Sequence, residues 1–399
     1  MKLNTTRVLV AGAAALTLGI CAEIAFSGEE VKKEPVDIAV SKALKWLVSV
    51  QGKDGGWGQD GGETSYVRQG ENLESRGNDV ANTAVVTEAL LHTGTTATRG
   101  QYREPLQRAV EFILKNVEES PTDGLAVTKL QGTQIQRKLG PYIDTFLTAK
   151  VLAELDGTMQ DAKWNARVRQ DLQKCVAKIE KAQLKDGSWN IAGGWAPILG
   201  TSLASQSLYI ANAKGAVQTQ TAMDRVDGYT LRTAAAPPVK AEASSVMVTG
   251  RADGTMAGAP AMTVEVSAAS AGVPLYKKAQ ELEQLSRTEK DREKNAKEIK
   301  AITGQLSDTR FVTGFGSIGG EEFFSYLNIS ESLRRTGGPD WKKWNGEMTA
   351  KLLKLQNEEG TWAGHHCITG RVAVTSAAIL LLQADREPAP LLQTSAKKR

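Results

Sequence analysis

The chain has 399 residues, 41% apolar and 24% charged, which suits one large globular domain or two small ones. Lysine plus arginine exceed aspartate plus glutamate by only four, and no basic block is interleaved with aromatics, which argues against nucleic-acid binding. Three cysteines in such a length exclude a disulfide framework.

Residues 1–27 read as an export signal. Lys2 and Arg7 precede an apolar run, Val8 to Ile20, and Ala25 and Ser27 are small residues at the two positions a signal peptidase reads. The run is 13 residues long, short of the roughly 20 needed to span a bilayer. The expectation is an exported chain, periplasmic or extracellular, beginning near Gly28 and with no stable membrane span after cleavage. Helical periodicity then predicts helices near 36–50, 79–92, 103–118, 142–155, 162–182 and 201–213, forming the first part of a helical domain over 28–215. Cys175 falls on the apolar stripe of its helix and reads as a core residue. Residues 216–273 are rich in Ala, Val, Thr, Ser, Gly and Pro and read as a flexible low-complexity insertion, with a short hairpin from 247–249 and 263–266. Residues 276–305 read as a polar helix with a solvated face. The second part of the domain, 274–386, adds helices near 321–335, 341–356 and 372–383, and 387–399 is a loose tail. This gives ten helices in five pairs.

One pattern recurs three times: Gln51, Gly55, Trp57; Gln183, Gly187, Trp189; Gln356, Gly360, Trp362. Each copy follows a helix with apolar residues in register one, four and eight positions before the Gln. Internal repetition of this kind marks a repeat architecture. The pattern resembles the QW repeat of the prenyltransferase and squalene-cyclase superfamily. That resemblance implies an all-α α/α toroid of about ten to twelve helices, amphipathic outside and apolar inside, in which Gln and Trp tie adjacent outer helices together. In physical terms the Gly permits a tight reversal, the Trp covers the neighbouring helix end, and its indole N–H needs an acceptor.

The inner helices align on Thr83, Thr148, Ser205, Ser330 and Thr375. One turn earlier the ring reads Asp79, Asp144, Thr201, Tyr326 and Arg371. Glu321, Glu322, His365, His366 and Cys367 lie on adjoining loops. A closed ring brings these residues to one polar mouth that binds a ligand. Asp79 and Asp144 are the catalytic candidates if the chain is an enzyme, although acidic residues at helix starts also serve as plain caps. The only His/Cys cluster, His365-His366-Cys367, offers zinc ligands.

The chemistry of the family finds little support here. No Asp-x-Asp-Asp acid is present, aromatics are only 6%, and Arg371 is the one cation in the aligned ring. A carbocation wants aromatic faces and a diphosphate wants several cations. The sequence therefore favours a non-catalytic toroid binding an apolar small molecule or a polypeptide partner in its central cavity. The alternative is a cyclase- or prenyltransferase-like enzyme acting on an isoprenoid.

Overall fold

In chain order the helices are α1 (Pro35–Ser49), α2 (Val80–His92), α3 (Arg103–Glu119), α4 (Gln134–Leu139), α5 (Ile143–Leu155), α6 (Ala162–Ala182), α7 (Pro197–Ala213), α8 (Gln220–Ala235), α9 (Gly272–Leu285), α10 (Glu289–Lys294), α11 (Ala296–Leu306), α12 (Gly320–Thr336), α13 (Gly338–Leu355) and α14 (Arg371–Gln383). The structure is a computed structural model, and it describes residues 34–59, 77–191, 197–217, 219–235, 272–306, 320–364, 368 and 370–386. The expected signal (1–27), hairpin (247–249 and 263–266) and tail (387–399) lie outside the described residues, as do His365, His366 and Cys367. No helix among the described residues is long and apolar enough to cross a membrane.

Helix starts follow ordinary capping chemistry. Asp79 caps α2 by accepting from the Asn82 amide at 2.8 Å, and Asp161 caps α6 by accepting from the Trp164 amide at 2.8 Å. Thr133 and Gln136 form a reciprocal capping box on α4. Burial then sorts the helices into two classes. On α3 a single stripe is buried, Leu106, Ala109, Val110, Ile113, Leu114 and Val117. On α2, α5 and α14 nearly every residue is buried, as expected for helices packed on all sides.

The second class closes a ring. Helices α2, α5, α7, α9, α12 and α14 each pack on the next, and α14 returns to α2. Helices α1, α3, α6, α8, α11 and α13 pack around them. The chain is thus an all-α α/α toroid, with six inner and six outer helices among the described residues and the short α4 and α10 as connectors. No strand occurs among the described residues.

The three Gln/Trp turns are near-copies of one another. Each Gln side-chain amide donates to the carbonyl of its own Gly and to a carbonyl of the next outer helix. The distances are 2.8 and 2.9 Å for Gln51 (Gly55, Pro105), 3.0 and 2.9 Å for Gln183 (Gly187, Ala222), and 2.9 and 2.9 Å for Gln356 (Gly360, Ala39). The last bond closes the ring, because it joins the final repeat to α1. Each indole N–H donates to a carbonyl ten residues back on its own helix, Leu47, Ile179 or Leu352, at 2.7, 2.7 and 2.9 Å. Each Trp amide donates to a threonine on the following inner helix, Thr83, Thr201 or Thr375, at 2.9, 3.1 and 3.0 Å. The Gln therefore ties neighbouring outer helices, whereas the Trp indole N–H locks its own helix to its own turn. Gly55, Gly187 and Gly360 have φ of +93°, +94° and +95°, a region that L side chains avoid. A Cβ at any of them would also overlap the next outer helix, at the Arg108 carbonyl, the Arg225 carbonyl or Lys42.

Several expectations need correction. Helix α8 lies inside the stretch 216–273 read as a flexible insertion. Its Ala222, Met223 and Val226 are buried, a stripe that small-residue composition concealed; residues 236–271 lie outside the described residues. The single solvated helix over 276–305 is instead parts of three helices, and α9 belongs to the inner ring. Two of the charges there are buried and partnered: Arg287, just past α9, meets Asp227 at 2.7 Å, and Glu283 of α9 accepts from Gln206 at 3.2 Å. These two elements make six helical pairs among the described residues, where five were expected.

Candidate functional site

The candidate rim does not form one pocket. Asp79 and Asp144 do come together, at 3% and 2% exposure. Both oxygens of each carboxyl accept hydrogen bonds. Asp79 takes the amide and side-chain nitrogens of Asn82 at 2.8 and 2.7 Å. Asp144 reaches across to the Ala81 amide of α2 at 3.1 Å and takes the Gln136 side chain of α4 at 2.7 Å. The pair stitches the starts of α2, α4 and α5 together.

The other rim candidates serve separate local networks. Thr201 is the counterpart of Thr83 and Thr375, so the alignment that put it level with Asp79 is one helical turn out; its hydroxyl also donates to Asn190 at 3.1 Å. Tyr326 faces outward onto α13, edge-on to Trp344, and its hydroxyl meets Glu322 at 3.2 Å and Lys351 at 3.0 Å. Arg371 pairs with Glu359 at 2.7 Å and lies over the Trp46 ring. The reference residue Ser330 likewise faces outward, accepting from the Trp344 indole at 2.7 Å. The inward face of α12 carries Phe324, Leu327, Asn328 and Glu331 instead, a phase that spacing alone could not assign.

Burial raises the Asp79 carboxyl from its ordinary 3.8 to about 7, with the charge of Asp144 adding to the effect. Burial likewise raises Asp144 to about 6. Below about pH 4 Asp79 is protonated in both folded and unfolded chains. Between about 4 and 7 the unfolded chain gives up its proton while the folded chain keeps it, so stability falls as pH rises; above about 7 the loss is constant. Asp79→Asn keeps an equally good cap and removes this slope. Urea unfolding at pH 5 and pH 8 should show the wild type losing on the order of 2–3 kcal/mol more than the variant across that interval. Equal losses would mean that Asp79 does not hold a proton in the folded state.

Among the described residues, polar side chains meet one another across the ring's axis. Lys150 on α5 meets Glu88 on α2 at 2.6 Å and Glu331 on α12 at 3.1 Å. Gln206 on α7 donates to Glu283 on α9 and to Asn328 on α12, both at 3.2 Å. Arg287 donates to Ser205 at 2.8 Å, and Arg335 lies 3.6 Å from Glu283. Both guanidinium groups lie over the Tyr209 ring. The remaining axial cavity is about 20 Å³, lined by Val85, Glu88, Leu147, Lys150, Gln206 and Phe324 among others. That is room for about one water. Glu88 and Lys150 were missed in the sequence, though Glu88 is the one acidic or basic residue besides His92 in α2, and Lys150 is the one basic residue of α5, which is a readable signal.

Ligand-sized space lies outside the ring. A groove of about 380 Å³ runs between the second Gln/Trp turn and α8, lined by Lys185, Asp186, Thr221, Asp224, Arg225, Gly228 and Arg232. Exposed Leu184 and Leu231 adjoin it in sequence.

No protein-family model matches the chain, and no curated protein matches it in sequence. Similar solved structures include a variant of the type II terpene cyclase MstE from Scytonema in complex with its substrate, geranylgeranyl dihydroxybenzoate. It is 12% identical over 88% of this chain and 98% of that one, with a TM-score of 0.46. The same cyclase without ligand is 11% identical over 88% of this chain and 97% of that one, with a TM-score of 0.34. At that distance no chemistry carries over, and the toroid rests on the helix contacts and the three Gln/Trp turns of this chain.

Proposed function

We propose that this chain is a non-catalytic binding toroid whose ligand is a polypeptide, seated in the outer groove of α8 rather than inside the ring. One contrast carries the reading: the axis has about 20 Å³ of free space, whereas the outer groove has about 380 Å³. The groove's volume falls within the range of about 300–1,000 Å³ typical of ligand pockets. An isoprenoid in the axis would have to displace the Glu88–Lys150–Glu331 network, leaving buried charges unpaired. Export remains part of the proposal on the strength of residues 1–27.

The rival reading, an isoprenoid cyclase, has one observation in its favour: Asp79 holds a proton near neutral pH. Its geometry is unhelpful to that reading. Both oxygens are committed to Asn82, and a carboxyl raised to about 7 is a weaker acid than an ordinary one.

The groove's mixed charge and apolar edge suit an extended peptide carrying acidic residues next to an apolar one. Peptides selected from a displayed random library against the purified chain should show that pattern. Charge reversal at Arg225→Glu with Arg232→Glu should weaken them at least about tenfold, a loss of roughly 1.4 kcal/mol. Selected peptides that bind the reversed variant equally well would remove the groove as the seat.

A further inference from the structure

The C-terminal ends of α2 and α5 carry a second cluster, independent of the groove. Glu88 and His92 lie one turn apart on α2, on the same face. Glu154 lies one turn beyond Lys150 on α5. His92 Nε2 and Glu154 Oε2 are 3.1 Å apart, and one ligand atom from each of Glu88, His92 and Glu154 falls within 4.8 Å of the others. We propose that these three side chains bind a divalent first-row metal ion of the zinc class.

Three observations carry this. The donor set is one imidazole and two carboxylates, which suits zinc and its neighbours; calcium and magnesium favour oxygen alone. Ligand atoms at about 2.0–2.2 Å from a common zinc sit roughly 3.4 Å from one another, so small side-chain rotations close the set. The charges are also unbalanced. With His92 neutral, as a metal ligand must be, Glu88, Glu154 and Glu331 face one buried ammonium, Lys150, with exposed Lys214 near Glu154. A divalent ion supplies the missing positive charge, while Lys150 keeps its bond to Glu331. Glu88 is buried, but the His92 and Glu154 side chains are 21% and 20% exposed, which leaves a way in and an open position for water. This site uses the one histidine outside His365-His366-Cys367 and lies at the opposite ends of the inner helices from Asp79 and Asp144.

The test uses the full chain stripped with EDTA and titrated calorimetrically with Zn²⁺. One ion per chain is expected, with a rise in melting temperature as zinc is added. His92→Ala and Glu154→Gln, at partly exposed positions, should keep the helical circular dichroism and each weaken binding at least about tenfold. A His365→Ala, His366→Ala, Cys367→Ala triple variant should bind as the wild type does. No zinc binding by the folded wild type would overturn the proposal. So would binding that survives His92→Ala but is lost in the triple variant.

Discussion

Gly187→Ala should be among the most damaging single-methyl changes in this chain. The residue sits at φ +94°, where an L side chain costs about 1–2 kcal/mol. Its new Cβ would meet the Arg225 carbonyl of α8, and forcing extra volume into a packed contact costs about 1–3 kcal/mol more. The sum, about 2–5 kcal/mol, lowers the melting temperature by on the order of 10 °C for a domain of this size. Gly157→Ala supplies the internal control. It has φ +79° with nothing within 4 Å of the added Cβ, so it loses the conformational part alone. If Gly187→Ala costs no more than Gly157→Ala, the turn is not held against α8 as described. The same logic applies to Gly55 and Gly360, because all three turns share one geometry.

Lys150→Met should be comparably severe for an electrostatic reason. Lys150 is 5% exposed and holds Glu88, at 2% exposure, and Glu331. Removing the shared ammonium leaves carboxylates buried without a countercharge, which costs about 3–5 kcal/mol. Adding Glu88→Gln to Lys150→Met removes the worst of the stranded charges, and most of the lost stability should return. Chemical denaturation of the wild type, the two single variants and the double variant gives the coupling between the residues. Additive losses would mean that Lys150 and Glu88 do not act as a pair across the ring.

The architecture was legible where the chain repeats itself. Gln, Gly and Trp at fixed spacing after an apolar stripe announced a turn, and three copies announced a toroid. What hid was set by pairing between distant helices. Glu283 of α9 and Arg287 just after it read as solvated because their partners, Gln206 and Asp227, lie 77 and 60 residues away in sequence. Helix α8 hid in small-residue composition. The inner-helix alignment placed Asp79 and Asp144 together correctly, since both share the same Asp-x-x-x-Thr-Ala start. It failed at Thr201 and Tyr326, because a one-turn shift or a rotation about the helix axis leaves the apolar pattern of a fully buried helix unchanged. The axial network is a property of closure, and no local window of sequence contains it.

We propose that the ring's axis, packed with side chains among the described residues, performs no isoprenoid chemistry. Incubating the purified chain with squalene and with prenyl diphosphates, with and without Mg²⁺ or Zn²⁺, and analysing the extract by mass spectrometry tests it most directly. The account predicts that the starting material is recovered unchanged under every condition. A cyclised or transferred product that disappears with Asp144→Asn, in a variant that remains folded, would contradict it.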